Sequence, residues 1–109
     1  MAINKNNEFT DQDVQIAEFA KALAHPARVA ILKILAKSDK CFCSCFVDEL
    51  PIAQSTVSQH LKALKKAGLI QGHINPPQIK YCINPENWQK AQSIFGNFFD
   101  SKESITNCE

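Results

Sequence analysis

Between Ile52 and Ile70 the apolar positions Val57, Leu61 and Leu64 recur at i, i+4 and i+7, which places them on one face of a helix. Gln54, Ser55, Thr56, Ser58, Gln59, Lys62, Lys65 and Lys66 occupy the rest of the cylinder. The polar face carries no carboxylate, as suits a surface that meets phosphates and base edges. Gly68 follows the basic pair Lys65 and Lys66, a C′ glycine after a last turn that complements the helix dipole. The pattern therefore predicts a helix from about Gln54 to Ala67. Just before it, Cys45 to Leu50 forms a short apolar segment leading to a turn at Pro51. Two short helices joined in this way read as a helix-turn-helix with the second as recognition helix.

The flanking segments build a frame for that unit. Thr10-Asp-Gln-Asp13 supplies an N-cap with acids in the first turn, and a helix is expected from about Asp11 to Leu23 with a stripe of Ile16, Phe19, Ala20 and Leu23. His25-Pro26 interrupts the pattern and opens a strongly apolar helix from Pro26 to about Ala36. Its core positions are Val29, Leu32 and Leu35, with Ile31 and Ile34 alongside. Beyond Gly68, the runs Leu69 to Ile74 and Gln78 to Ile83 flank Asn75-Pro76-Pro77; they predict a hairpin with a proline-stiffened tip, a candidate wing. Asn84-Pro85-Glu86 caps a last helix with Trp88, Ala91, Phe95, Phe98 and Phe99 on one face. The expected fold is mainly α: a winged helix-turn-helix of about five helices plus a two-stranded antiparallel wing. Residues 1–10 and 101–109 are expected to be flexible tails around one domain over 11–100.

Composition narrows the function. The chain has 109 residues, 45% of them apolar, enough for one core and small enough to gain from dimerisation. No apolar run approaches the length of a membrane span, and a cytoplasmic location is expected. Five cysteines, with Cys41, Cys43 and Cys45 crowded together, do not resemble a secreted disulfide framework. The net charge of +1 conceals an asymmetry, because residues 50–85 hold four lysines and no acid. That stretch is the candidate electrostatic footprint for nucleic acid; the alternative is a merely solvated lysine face. The aromatic stripe of the last helix reads as a dimer interface formed by Ile16, Phe19, Trp88, Phe95, Phe98 and Phe99, against the alternative that these rings close the core of a single chain. Arg28, the only arginine, is expected to be a structural or phosphate contact.

Taken together, Ala24-His-Pro-Ala-Arg28, Asp48-Glu-Leu50, Gln54-Ser-Thr-Val-Ser-Gln-His-Leu-Lys-Ala-Leu64, Ala67-Gly-Leu-Ile70 and Tyr81-Cys-Ile-Asn-Pro85 resemble the ArsR/SmtB winged-helix repressors over roughly residues 11–99. The resemblance implies a homodimer on operator DNA, released by a metal, metalloid or redox signal. It also implies that the first and last helices form the dimer and that two recognition helices enter successive major grooves about 34 Å apart. The expected base contacts are Gln54, Ser55, Thr56, Ser58, Gln59 and His60, and the expected phosphate contacts Lys62, Lys65, Lys66 and Lys80. His60 has a competing place at the core boundary, with one ring nitrogen satisfied there.

Three thiols within five residues could offer sulfur ligands to arsenite, antimonite, Cd or Zn. Cys41, Cys43 and Cys45 can act together only if non-helical chain precedes a helix starting near Ser44 or Cys45. Arsenic-sensing proteins of the resembled family carry a Cys-x-Cys pair that falls here on Phe42 and Ser44, one position away. Their alternative Asp/His site on the last helix is missing, because no histidine follows His73. The competing reading of the thiols is inert packing. For the whole chain, the leading function is a dimeric DNA-binding regulator, a repressor; the alternative is a winged-helix protein-interaction module without inducer sensing. No phosphate-binding glycine loop or nucleophile motif points to an enzyme.

Overall fold

Three of the four described helices begin at a side-chain cap. The computed structural model describes residues 8–37, 42–43, 51–76 and 78–102. Helix α1 (Asp11–Ala22) starts in a capping box: the Thr10 hydroxyl accepts from Asp13 N–H at 3.0 Å, and the Asp13 carboxylate accepts from Thr10 N–H at 3.3 Å. Helix α2 (Pro26–Ala36) is capped by His25, whose Nδ1 accepts from Ala27 N–H at 3.0 Å, with Pro26 supplying a preset φ in the first turn. Strand β1 (Phe42–Cys43) follows, then helix α3 (Gln54–Ala67), the hairpin strands β2 (Ile70–Asn75) and β3 (Gln78–Ile83), and helix α4 (Pro85–Asp100). Asn84 caps α4 by accepting from Asn87 N–H at 3.1 Å.

The core draws on all four described helices. Phe19 and Ala22 of α1, Ile31, Leu32 and Leu35 of α2, Val57, Leu61 and Leu64 of α3, Leu69 and Ile70 at the start of the hairpin, and Ala91 of α4 form one buried cluster. Val29, expected in the apolar stripe of α2, is instead exposed. Trp88 and Phe95 pack against the cluster from α4 without being fully covered.

The architecture is the expected mainly α winged helix, with two differences. Four helices are described rather than about five, because the short helix expected near residues 45–50 lies outside the described residues. Among the described residues the sheet is also three-stranded, in the order β1-β3-β2. The outer edge of β3, left open by the hairpin, pairs with β1 antiparallel, Phe42 opposite Tyr81 and Cys43 opposite Lys80; an open edge carries unpaired N–H and C=O groups that a short extended segment can satisfy. Most of the two expected flexible tails, 1–7 and 103–109, falls outside the described residues.

The hairpin register sorts its residues by face. Ile70 opposes Ile83, Gly72 opposes Tyr81 and Ile74 opposes Ile79, so these pairs share one side of the sheet. That side is buried at its base, at Ile70, and exposed at its tip, at Ile74.

Candidate nucleic-acid interface

The apolar stripe of α3 holds the helix against the core and thereby turns its other side outward. Val57, Leu61 and Leu64 are buried, while Ser55, Thr56, Ser58, Gln59, Lys62, Lys65 and Lys66 are exposed. Gln54 opens the helix. The first turn has no acid and the last turn carries Lys65 and Lys66. The outward face is therefore polar from Ser55 to Gln59 and cationic from Lys62 to Lys66.

The C-terminal end of α3 is locked to the frame. Gly68 adopts φ of 90°, the left-handed conformation that closes a helix, and Leu69 N–H returns to Leu64 C=O at 3.1 Å. Asn87 of α4 donates from Nδ2 to the Gly68 carbonyl at 2.9 Å, and Asn84 N–H donates to the Leu69 carbonyl at 3.0 Å. Nothing in the local pattern of Asn87 signals this role, since its partner is distant in sequence. Lys65 lies close to the wing: a Cβ on Gly72 would sit 3.5 Å from its Nζ. Lys80 lies in β3, opposite His73 of β2.

His60 departs from its expected place among the base contacts. It is only 7% exposed, and its Nδ1 accepts from Arg28 Nε at 3.1 Å, so it belongs to the core boundary, the competing place open to it from its position three residues after Val57. Burial first, then the charges of His25 and Arg28, hold its pKa below the usual histidine value. Arg28 is structural here, with Nη1 donating to the carbonyls of Lys21 and Ala22. The signals for this cluster were a lone arginine three residues after a helix-capping histidine and a histidine bordering an apolar stripe.

The expected dimer residues divide likewise. Phe19 is 1% exposed and fills the core of the single chain, because it lies on the side of α1 that faces the other helices; it leaves the interface set. Trp88 and Phe95 line, with Phe19, Leu23, Leu69 and Ala91, an open apolar cleft of about 310 Å³. Ile16 and Phe98 border a second hollow between α1 and α4. Phe98 and Phe99 are 51% and 70% exposed and stack edge to face with centroids 5.1 Å apart.

Of the thiols, Cys43 lies in extended chain opposite Lys80, whereas Cys41 and Cys45 lie outside the described residues. Cys82 accepts at Sγ from Gln71 Nε2 at 3.8 Å. Among the described residues no group of three or more His, Cys, Asp or Glu side chains is placed to hold a metal ion, and no described helix is long and apolar enough to cross a membrane.

A helix packed by one apolar stripe, exposing an acid-free polar face and followed by a hairpin, defines a winged helix-turn-helix protein. Residues 25–71 match the family described as bacterial regulatory protein, arsR family. It is 42% identical over 66 residues to the HTH-type transcriptional repressor SmtB of Mycobacterium tuberculosis, a match covering 61% of this chain and 48% of that one. An uncharacterised HTH-type transcriptional regulator of Methanocaldococcus jannaschii is 46% identical over 56 residues, covering 50% of this chain and 62% of its own. The chain spans about half the length of the SmtB repressor it matches. The fold is shared with an ArsR-like transcriptional regulator from Rhodococcus sp. RHA1, with a TM-score of 0.67 at 20% identity over 81% of this chain and 82% of that one.

Proposed function

We propose that the protein is a homodimeric, sequence-specific DNA-binding repressor whose α3 enters the major groove of its operator. The observation that carries this reading is the exposed face of α3, acid-free and rich in Ser, Thr, Gln and Lys, backed by buried Val57, Leu61 and Leu64. Gln54, Ser55, Thr56, Ser58 and Gln59 supply the hydrogen-bonding groups for base edges, glutamine being suited to bidentate contact with adenine. Lys62, Lys65, Lys66 and Lys80 supply phosphate contacts. A second copy covers Ile16, Trp88, Phe95, Phe98 and Phe99, removing from water the rings of Phe98 and Phe99, which are 51% and 70% exposed.

The test is an anisotropy titration against the DNA upstream of the protein's own coding region and against an unrelated duplex, at two salt concentrations. Specific, salt-sensitive binding is expected. The double variant Lys62→Gln/Lys66→Gln should weaken both duplexes and flatten the logarithmic salt dependence by roughly 0.9 for each phosphate that a lysine no longer neutralises. Absence of any sequence preference would instead favour a winged-helix module that binds another protein.

The inducer in this proposal is a thiophilic species, arsenite, antimonite, Cd or Zn, or an oxidant, acting at Cys41, Cys43 and Cys45. Support comes from soft-ligand chemistry and from the extended backbone at Phe42–Cys43, since a non-helical run is what lets alternate cysteines share a face. Cys43→Ser/Cys45→Ser should bind the operator as tightly as the parent chain and fail to release it when arsenite or cadmium is added. Release at the parent concentration would remove the thiols from the mechanism.

A further inference from the structure

His60 is the buried ionisable side chain of the described core, and DNA contact by the outward face of α3 makes no use of it. Arg28 donates from Nε to its Nδ1 at 3.1 Å, and from Nη1 to the carbonyls of Lys21 and Ala22 at 3.4 and 3.5 Å. One guanidinium thus joins the C-terminal end of α1, the first turn of α2 and the middle of α3. The His25 ring lies against His60 with centroids 4.4 Å apart and planes inclined at 47°, its own Nδ1 already engaged by Ala27 N–H.

The protonation state of His60 follows from this arrangement. An arginine donor keeps its protons throughout the accessible pH range, so the nitrogen that accepts from it is unprotonated and His60 carries its single proton on Nε2. Nε2 is buried and has no hydrogen-bond partner among the described residues. A second proton would have to enter at Nδ1, directly opposite the Arg28 N–H and beside a fixed positive charge. Among the described residues, the titratable and charged groups facing His60 are His25 and Arg28, both from the α2 end. From α1 the cluster receives the Lys21 and Ala22 carbonyls, through Arg28. The adjacent turns of α3 itself hold Thr56, Val57, Ala63 and Leu64, none of which titrates.

We infer that Arg28 is a positioning residue for DNA reading, holding α3 in its presenting pose through the bond to His60, and that protonation of His60 releases that hold. The inference rests on α3 being the recognition helix. Its sign is fixed by linkage: the folded pKa of His60 lies below the ordinary 6.5, so the stabilisation is complete above that value and is lost as pH falls below it toward the folded pKa. Simple electrostatics runs the other way, because acid adds positive charge and strengthens non-specific attachment to phosphates. Specific affinity that falls on acidification therefore distinguishes the clamp from charge alone.

The experiment uses the full chain, the duplex upstream of its coding region and an unrelated duplex of equal length, titrated from pH 8 to 5.5. Between pH 7.5 and 5.5 we expect a several-fold loss of affinity for the specific duplex, without weakening on the unrelated one. His60→Leu, which lacks an acceptor for Arg28, should lose at least about tenfold at pH 7.5. His60→Asn, whose Oδ1 can take the place of Nδ1, should regain most of that affinity and show a flat profile below pH 7. An H60N profile as steep as the parent, or an H60L chain that binds like the parent, overturns the inference. If the parent prefers neither duplex, the reading of α3 fails, and the clamp is decided by imidazole nitrogen shifts. The Nε2-protonated tautomer with titration displaced below that of free histidine sustains it, and mixed tautomers with ordinary titration overturn it.

Discussion

Replacing Leu64 by alanine is expected to destabilise the protein by about 3 to 4 kcal/mol, within the range for emptying a fully enclosed leucine site. Leu64 is 0% exposed, and with Leu61 and Val57 it seats α3 in a cluster to which all four described helices contribute. The site has little room to collapse, because its walls come from separate elements that other buried side chains also hold. A domain of this size has a total stability of about 5 to 15 kcal/mol, so the variant should unfold at markedly lower urea concentration. Measurements belong at one fixed protein concentration, since self-association would make the midpoint depend on it. A loss below about 1 kcal/mol would mean that α3 repacks, in contradiction to the close packing described.

Gly68→Ala should cost about 2 to 3 kcal/mol by a different route. The φ of 90° lies in the left-handed region, where a Cβ is penalised by about 1 to 2 kcal/mol. The new methyl would also sit 2.7 Å from Asn87 Nδ2, the donor that holds the Gly68 carbonyl at 2.9 Å. Asn87 would have to swing away and give up that bond, a further loss of about 1 kcal/mol. Comparing Gly68→Ala, Asn87→Ala and the double variant by urea denaturation separates the contributions: the Asn87 substitution should cost less once Gly68 is already replaced. Strict additivity would show that the two residues act independently.

These two sites illustrate what could be read from the chain and what could not. The limits of α3 and α2 were legible because a sharp apolar stripe coincides with strong punctuation, Gly68 at one end of α3 and His25-Pro26 at the start of α2. The hairpin was legible for a similar reason, two β-prone runs around Asn75-Pro76-Pro77. The third strand was not, because Phe42 and Cys43 carry too little local preference to announce a strand; their extended form depends on the open edge of β3. Phe19 and His60 illustrate a second limit. Helical periodicity assigns a residue to a face, but whether a face meets the core, solvent or another chain is decided by elements packed from elsewhere in the sequence. Phe19 therefore joined the core, and His60 was claimed by an arginine on another helix.

The strand order also sets a sequence of events in folding. β2 and β3 are joined by a short turn and can zip together locally, whereas β1 reaches β3 only after the intervening chain, including α3, has been brought round to close a long loop. During synthesis the same asymmetry applies, since Phe42 and Cys43 emerge well before the strand they pair with exists. β1 is therefore a late arrival, and with a ladder of two residue pairs it is also the part of the sheet that detaches at least cost.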